Sequence, residues 1–310
     1  MNAIQISAFG DASVLVSTQI DAPNPVGRDI LVRVMASGVN PIEWKIRSGA
    51  MAKAVGRDLP VTCGWAFAGL IEQVGLDVKR FQAGDAVYGY PEFTRGGTHA
   101  EFVLVDESQT ALKPTSLSFA QSSAVPMTAQ AASAAIAAAN LRSGERVLIH
   151  GAAGAVGHWL IQMAKSIDTE VIATASGAGL DTIRDLGANV AVDYRSERFE
   201  TVARRVDVVF DLVGGETQAR SWAVLGPGGR LISTAHPTDR ATAEAVGATG
   251  VFVFTPPNGQ VLNGIAEQID AGALRPLPVA LELTLDEAPD AHRLGETGKS
   301  GGKIALIPGL

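Results

Sequence analysis

A glycine-rich segment that follows a short apolar run constrains the fold more than any other part of this sequence. Residues 147–150 are typical of a strand, Gly151, Gly154 and Gly157 follow, and residues 158–165 carry apolar residues at helical spacing. Glycines at this spacing let the backbone turn sharply, approach a ligand closely and pack a helix on a strand. The segment therefore predicts a strand, a tight turn and a helix whose first N–H groups hold a pyrophosphate.

Strand and helix patterns alternate after this point, and an alanine-rich stretch at 122–140, with Pro126 near its start, predicts a helix before it. The alternation indicates a doubly wound parallel sheet with helices on both faces. The nearly all-apolar run 206–210 suits such a sheet. The predicted strands are 146–150, 170–175, 190–193, 207–212, 230–234 and 251–255, and the predicted helices are 156–167, 179–186, 216–225, 239–246 and 260–270.

Residues 1–118 have a β-rich pattern, with short strand candidates at 4–6, 30–34 and 68–74 and turn signals such as Asn40-Pro41. This pattern favours an irregular barrel or sandwich. The last stretch returns to strand patterns at 277–285 and 304–307, with a short helix at 286–296. We therefore predict an α/β protein in which a first domain, 1–118, is completed by 274–310, and 119–273 form a dinucleotide-binding domain.

Composition narrows the cellular setting. The net charge of −7 argues against a general nucleic-acid or anionic-membrane partner. Cys63 is the single cysteine, which fits a reducing compartment. The first residues lack the pattern of a signal peptide, and no apolar run reaches membrane-spanning length. These features predict a cytoplasmic globular protein.

Ser176 and Gly177 follow the second predicted strand, at the place where NAD-specific sites carry a carboxylate for the ribose hydroxyl. Because a carboxylate would repel a 2′-phosphate, its absence permits NADP. Tyr194 and Arg195, after the third strand, are placed to supply a hydrogen bond and a positive charge, although Arg195 is also consistent with a solvated surface residue. The sequence favours NADPH.

The inventory of metal-binding residues argues against a zinc site, because a catalytic zinc needs about three protein ligands. The chain has one cysteine and five histidines, none of which shares a local ligand spacing with another. We therefore predict no metal and interpret the histidines as structural or surface residues: His99, His150, His158, His236 and His292. Hydride transfer from a nicotinamide cofactor such as NADPH needs none of these metal ligands.

Four signatures together resemble the zinc-free quinone oxidoreductase and enone (2-alkenal) reductase branch of the medium-chain dehydrogenase/reductase superfamily. They are 38–45, the glycine loop 151–157, 211–215 (Asp-Leu-Val-Gly-Gly) and the tail 302–304. The resemblance spans nearly the whole chain. It implies a GroES-like catalytic domain around a Rossmann domain, NADPH in the cleft, and a homodimer formed along the sixth strand.

The resemblance also implies site residues. A cysteine ligand of the zinc-dependent branch would fall at Asn40 and a histidine at Trp65, and neither is present. Asn40 is expected beside the nicotinamide, Lys45 near cofactor or substrate, and Thr128 against the nicotinamide. The alternatives are a turn-forming asparagine, a surface lysine and a helix-packing threonine.

Most predicted cofactor contacts lie in the glycine loop and in the loops after the strands. Phe252, Val253 and Phe254 form the sixth strand, and Val253 is equally consistent with plain core. The full set is Gly151, Ala153, Gly154, Ala155, Val156, Gly157, Ser176, Tyr194, Arg195, Val213, Thr234, Ala235, Phe252, Val253, Phe254 and Lys303. The chain departs from the family pattern at three places: Ala66 replaces an acidic residue, glycines replace a basic residue after the second strand, and Gly301 replaces an arginine.

These features predict an NADPH-dependent reductase that passes hydride to a quinone or to the β-carbon of an α,β-unsaturated carbonyl compound. Asn40 or Lys45 would stabilise the developing oxyanion, and water would give the final proton. The sequence does not separate quinones, alkenals, enones and enoyl thioesters. An alternative is a sensor, structural or partner-binding protein of the same fold that binds NADPH without redox turnover. A zinc alcohol dehydrogenase is disfavoured by the missing ligands.

Overall fold

The computed structural model describes residues 1–56 and 58–309. The chain forms two compact units, Met1–Met127 with Pro256–Leu310, and Thr128–Thr255. These divisions lie after residues 127 and 255, whereas the sequence analysis placed its domain boundaries after 118 and 273. The assignment of 1–118 with 274–310 to one domain and 119–273 to the other stays a prediction.

The strands are β1 Asn2–Ile6, β2 Val16–Gln19, β3 Asp29–Gly38, β4 Val61–Thr62, β5 Phe67–Val74, β6 Ala86–Gly89, β7 Phe102–Asp106, β8 Thr110–Leu112, β9 Arg146–His150, β10 Glu170–Ala175, β11 Val190–Asp193, β12 Val206–Asp211, β13 Leu225–Ser233, β14 Thr249–Phe252, β15 Val279–Thr284 and β16 Lys303–Ile307. The α-helices are α1 Pro41–Arg47, α2 Ala52–Val55, α3 Phe119–Ser123, α4 Pro126–Ala139, α5 Ala155–Ser166, α6 Gly179–Asp185, α7 Phe199–Val202, α8 Gly215–Ser221, α9 Arg240–Ala245, α10 Gly259–Asp270 and α11 Ala288–Thr297. Among the described residues, no helix is long and apolar enough to cross a membrane.

The second unit contains a six-stranded parallel sheet in the order β11-β10-β9-β12-β13-β14. This order is that of the Rossmann fold, with the first strand of the unit, β9, beside the point where the order reverses. Val147, Leu148 and Ile149 of β9 are all fully buried, because helices cover both faces of a parallel sheet. The predicted α/β fold with a parallel sheet is confirmed.

The first unit contains a three-stranded sheet, β2-β1-β4, and a seven-stranded sheet in which β15-β16-β3-β5-β6-β8 is joined by β7 on β3. Strand β16 pairs antiparallel with the end of β3, at Ala305 and Gly38. A side chain at Gly38 would meet the carbonyl oxygen of Ser123 at 2.3 Å, so this strand end requires glycine. The pairing places the start of β16 beside the residues that follow β3.

Three local predictions differ from the structure. The Asn40-Pro41 pair begins helix α1 instead of forming a turn, because Asn40 is the N-cap, Pro41 occupies the first turn and Glu43 closes a capping box. The predicted helix 122–140 is two helices, α3 and α4, separated just before Pro126. Strand β13 begins at Leu225, five residues before its predicted start, with an irregular register opposite β12.

Candidate functional site

The glycine loop of the second unit connects β9 to α5. Gly151 has a φ of +66°, which favours glycine at the turn. A side chain at Gly157 would meet the Cα of Ala152 at 2.5 Å, so this glycine permits close packing of helix and loop. Gly154 is the N-cap of α5, with no side-chain cap. The N–H groups of the first turn, at Ala155 and Val156 among others, are therefore available to an anion.

His150 is the last residue of β9, directly before the glycine loop. Its Nδ1 lies 3.1 Å from Oγ1 of Thr174, and its Nε2 lies 3.1 Å from Oγ of Ser221. Burial lowers the pKa of His150 to about 4, although Asp211 opposes the shift. His150 is thus a neutral, hydrogen-bonded structural histidine, which agrees with the interpretation from the sequence.

A polar rim follows strands β10 and β11. The Ser176 hydroxyl donates to Oη of Tyr194 at 2.9 Å, and the Tyr194 side chain is 58% exposed. Arg195 is exposed and forms no ion pair with an acidic side chain in the described parts of the chain. The rim therefore brings together two hydroxyl groups and places an unpaired guanidinium next to them in sequence. This donor set suits a phosphate monoester.

Asp211 organises the loops after β12 and β13, and the sequence analysis assigned it no role. Its Oδ1 accepts the N–H groups of Val213 and Gly214 at 3.0 and 2.8 Å. Its Oδ2 accepts the Ser233 hydroxyl at 3.1 Å, and the same Oγ accepts the N–H of Ala235. One buried carboxylate thus fixes the backbone at two predicted cofactor contacts. The Asp-Leu-Val-Gly-Gly signature was the available signal.

The remaining predicted cofactor residues of this unit lie along the same strand ends. The Thr234 N–H donates to the Asp211 carbonyl oxygen at 3.1 Å, and the Val253 N–H donates to the Ser233 carbonyl oxygen at 2.8 Å. Strand β14 is the edge of the sheet, and the Phe252 and Phe254 side chains are 44% and 62% exposed. Ala153 lies in the glycine loop, next to Gly154.

Thr128 opens the second unit in helix α4 and is buried. Its Oγ1 accepts a hydrogen bond from the indole Nε1 of Trp159 in α5 at 3.1 Å. The threonine hydroxyl therefore links the two helices, as the alternative of a helix-packing residue also expected. Its predicted contact with the nicotinamide stays a prediction.

In the first unit, Asn40 is 1% exposed, and its side chain is held on two sides. Its Nδ2 donates to the Gly38 carbonyl oxygen at 3.0 Å. Its Oδ1 accepts from Nζ of Lys303 at 2.7 Å, and the Asn40 backbone N–H donates to Oε2 of Glu43 at 2.9 Å. By contrast, Lys45 lies on the exposed face of α1.

Lys303 is buried, and its ammonium group also donates to the Val39 carbonyl oxygen at 2.8 Å. Burial lowers the pKa of Lys303 to about 8, and the Glu43 carboxylate opposes the shift. The structure therefore places Lys303 as the direct partner of Asn40. The predicted contact between Lys303 and the cofactor stays a prediction.

A buried cluster of Glu43, His99 and His292 lies behind Asn40. Nε2 of His99 and Nε2 of His292 lie 3.5 and 3.9 Å from Oε2 of Glu43. Burial raises the pKa of Glu43, but the two histidines and the Asn40 N–H outweigh it, so the pKa lies below its usual value. Burial lowers the pKa of His292 to about 3.

This cluster is the one group within residues 1–56 and 58–309 whose ligand atoms lie close enough to hold a metal, at 4.8 Å or less from one another. It includes neither Asn40 nor Trp65. The positive charges of Lys303 and Arg47 act on Glu43 and His292, and they oppose a divalent cation there. The sequence analysis missed the cluster because no local spacing connects residues 43, 99 and 292.

Two sequence-family models match the chain. The first, described as "Alcohol dehydrogenase GroES-like domain", covers residues 27–115, and the second, described as "Zinc-binding dehydrogenase", covers residues 186–306. The first match lies in the unit that contains Asn40. The second begins after the glycine loop and includes the loops fixed by Asp211.

Curated relatives and solved structures agree with these matches. The chain is 32% identical to 2-methylene-furan-3-one reductase of Solanum lycopersicum over 99% of this chain and 79% of that protein. It is 31% identical to an NADPH-dependent alkenal/one oxidoreductase of Arabidopsis thaliana, with 99% and 80% covered. The quinone oxidoreductase of Coxiella burnetii superposes with a TM-score of 0.90 at 32% identity, with 99% of each chain covered. The chain therefore belongs to the quinone oxidoreductase and enone reductase branch of the medium-chain dehydrogenase/reductase superfamily.

Proposed function

We propose that this protein is an NADPH-dependent oxidoreductase that reduces a quinone or an α,β-unsaturated carbonyl compound. The observation that carries the proposal is the glycine loop at the reversal point of a Rossmann sheet, with the first turn of α5 uncapped. The family relationship supports the reaction class, because the relatives are named as alkenal/one and quinone oxidoreductases and one is named as NADPH-dependent.

The residues of the second unit fit the proposed cofactor. The α5 N-terminus offers N–H groups to a pyrophosphate, and no side chain caps it. Gly151 and Gly157 lack side chains, and the loop can therefore pack closely against its neighbours and present these N–H groups. When bound, NADPH supplies the hydride. The protein positions the nicotinamide through the loops that Asp211 holds, at Val213, Thr234 and Ala235.

The polar rim supports NADPH over NADH. Ser176 and Tyr194 offer hydroxyl groups, and Arg195 offers a charge with no acidic partner in the described parts of the chain. Strand β10 ends at Ala175, and neither Ser176 nor Gly177 carries the carboxylate that would repel a 2′-phosphate.

Asn40 is the proposed donor to the substrate oxygen that becomes negative during reduction. Its Nδ2 has two hydrogens, and the Gly38 carbonyl oxygen accepts one of them. Lys45 is the second proposed donor, supported by its exposure on α1. A preorganised donor of this kind stabilises a developing oxyanion by about 3 kcal/mol. Neither role requires zinc, and zinc independence is part of the proposal.

The test is a steady-state assay of NADPH oxidation with a panel of quinones, 2-alkenals, cyclic enones and enoyl thioesters. We expect turnover with at least one class and transfer of deuterium from C4-labelled NADPH to the reduced product. Binding of NADPH without deuterium transfer to any acceptor would favour the sensor alternative instead. Metal analysis of the active enzyme tests zinc independence, and stoichiometric zinc would contradict it.

We also propose a homodimer that pairs along β14 and a cytoplasmic location. The exposed apolar residues Val251, Phe252 and Phe254 lie on or beside this edge strand, which needs covering. Light scattering on the wild type and on Phe252→Ser tests the assembly. A monomeric wild type would contradict it. The single cysteine supports a reducing compartment, and fractionation of the source cells tests the location.

A further inference from the structure

The buried lysine at the start of β16 invites a functional explanation because a neutral side chain could pair β16 with β3 equally well. Lys303 is 6% exposed, and its ammonium group donates to the Val39 carbonyl oxygen and to Oδ1 of Asn40. Keeping a charge in such a place costs free energy that a methionine or glutamine would not incur. The charge therefore needs a role beyond strand pairing.

We propose that Lys303 is a positioning residue that acts through Asn40, and this inference rests on the function proposed above. The 2.7 Å bond to Oδ1 fixes which end of the carboxamide faces Lys303. It leaves Nδ2 on the other side, where the Gly38 carbonyl oxygen accepts one hydrogen at 3.0 Å. The second Nδ2 hydrogen has no acceptor among the described residues, and we assign it to a substrate oxygen.

The positive charge of Lys303 also makes the second N–H of Asn40 a stronger hydrogen-bond donor. A cation bound to the oxygen of an amide draws electron density from its nitrogen, so the remaining N–H becomes a better donor. Glu43 completes the arrangement from the backbone side, because Oε2 accepts the Asn40 N–H at 2.9 Å and holds the residue at the start of α1. Asn40 is thus fixed by a cation at its side chain and an anion at its backbone.

The ionisable neighbours of Lys303 determine how its charge, and therefore the activity, should depend on pH. Glu43 on α1 favours the charged amine, and burial disfavours it. The other ionisable side chains on elements packed against β16 are Glu282 on β15, Asp286 and Glu287 in the turn before α11, and Asp290, His292, Arg293 and Glu296 on α11. Asp29 and Arg33 lie in the half of β3 remote from Gly38, and α3 carries none. Since the pKa of Lys303 is lowered to about 8, activity should fall as the pH rises through this value.

The decisive experiment compares Lys303→Met, Asn40→Ala and the double variant in steady-state assays with NADPH and the best acceptor. We expect Lys303→Met to lower kcat about 10- to 100-fold with little change in the KM for NADPH. The double variant should be no slower than Asn40→Ala, because Lys303 acts only through Asn40. Lys299→Met, an exposed lysine in the same tail, is the matched control and should keep wild-type kinetics.

Three results would overturn the inference while leaving the proposed function intact. The first is an unchanged kcat with a raised KM for NADPH in Lys303→Met, which indicates direct cofactor binding. The second is a multiplicative loss in the double variant. The third, which needs no variant and decides the matter if Lys303→Met does not fold, is a wild-type kcat that stays level from pH 7 to 9.5. Absence of turnover in the wild type would instead refute the proposed function.

Discussion

The two units each carry a cation at a proposed functional site, and the two cations differ in almost every physical respect. Arg195 in the second unit is exposed, in a rim with the Ser176 and Tyr194 hydroxyls. Lys303 in the first unit is buried and already bonded to Asn40 and to the Val39 carbonyl oxygen. An exposed cation meets its ligand from water and contributes affinity. A buried cation loses its hydration during folding and contributes the orientation of the group that it binds.

The same contrast holds for the surrounding groups. In the second unit most proposed contacts are backbone N–H groups, and side chains such as Asp211 only hold that backbone in place. In the first unit the proposed donor is itself a side chain, Asn40, fixed by Lys303 and Glu43. Substitutions in the second unit should therefore change cofactor binding first, and those around Asn40 should change the rate of reduction first.

The largest effect is expected at Asp211. Replacing it with alanine leaves the N–H groups of Val213 and Gly214 and the hydroxyl of Ser233 without their acceptor. We expect a loss of stability of about 3 kcal/mol and a raised KM for NADPH. Chemical denaturation and steady-state kinetics measure both effects. Asp181→Ala, at an exposed position of α6, is the control, and equal behaviour of the two variants would break the comparison.

The next effect is expected at Asn40. Asn40→Ala removes the proposed donor and should lower kcat about 100-fold with little change in the Kd of NADPH. Stopped-flow measurement of hydride transfer, with fluorescence titration of NADPH, separates the two quantities. A variant that reduces its acceptor at the wild-type rate would remove Asn40 from the reaction.

A smaller effect is expected at the polar rim. Arg195→Ala should raise the Kd of NADPH about tenfold, because one exposed charge-assisted contact to a phosphate is lost, while the Kd of NADH stays constant. Arg184→Ala, which removes an exposed arginine paired with Asp181, is the matched control. If both nucleotides weaken equally, Arg195 does not recognise the 2′-phosphate.

The last prediction concerns pH. Burial lowers the pKa of Lys303 from 10.5 to about 8, so the unfolded chain binds the proton more tightly than the folded one. The contribution of this group to stability should rise as the pH increases from about 8 towards 10.5. Urea denaturation at pH 7.5 and 9.5 measures the change, and Lys303→Met should lack this component. If the contribution of Lys303 to wild-type stability falls between pH 7.5 and 9.5, the buried environment assigned to this lysine is wrong. Over the same pH range, the activity of the enzyme should decline.

The second unit could be predicted from the sequence because its signals are local. The glycine loop and the alternation of patterns lie within short windows, so the order of strands and helices follows from them, although the start of β13 does not. In the first unit, the Asn40-Pro41 pair is consistent with two local structures, a turn and a helix N-terminus. Glu43, three residues after Asn40, was the capping-box signal that favours the helix.

Contacts between distant residues could not be predicted in this way. Lys303 and Asn40 are 263 residues apart, and the pairing of β16 with β3 brings them together. The same holds for Glu43, His99 and His292, which share no spacing. No pattern of period 2 or 3.6 carries such information, so a lysine in the tail is identified as buried only when the sheet is known.

The pairing of β16 with β3 also bears on how the protein is made. During synthesis residues 29–38 leave the ribosome long before residues 303–307, with the whole of unit Thr128–Thr255 between them. The parallel sheet of that unit can form while β3 still lacks its partner strand β16. Asn40 therefore acquires its bond from Lys303 only after the last strand of the chain has been synthesised.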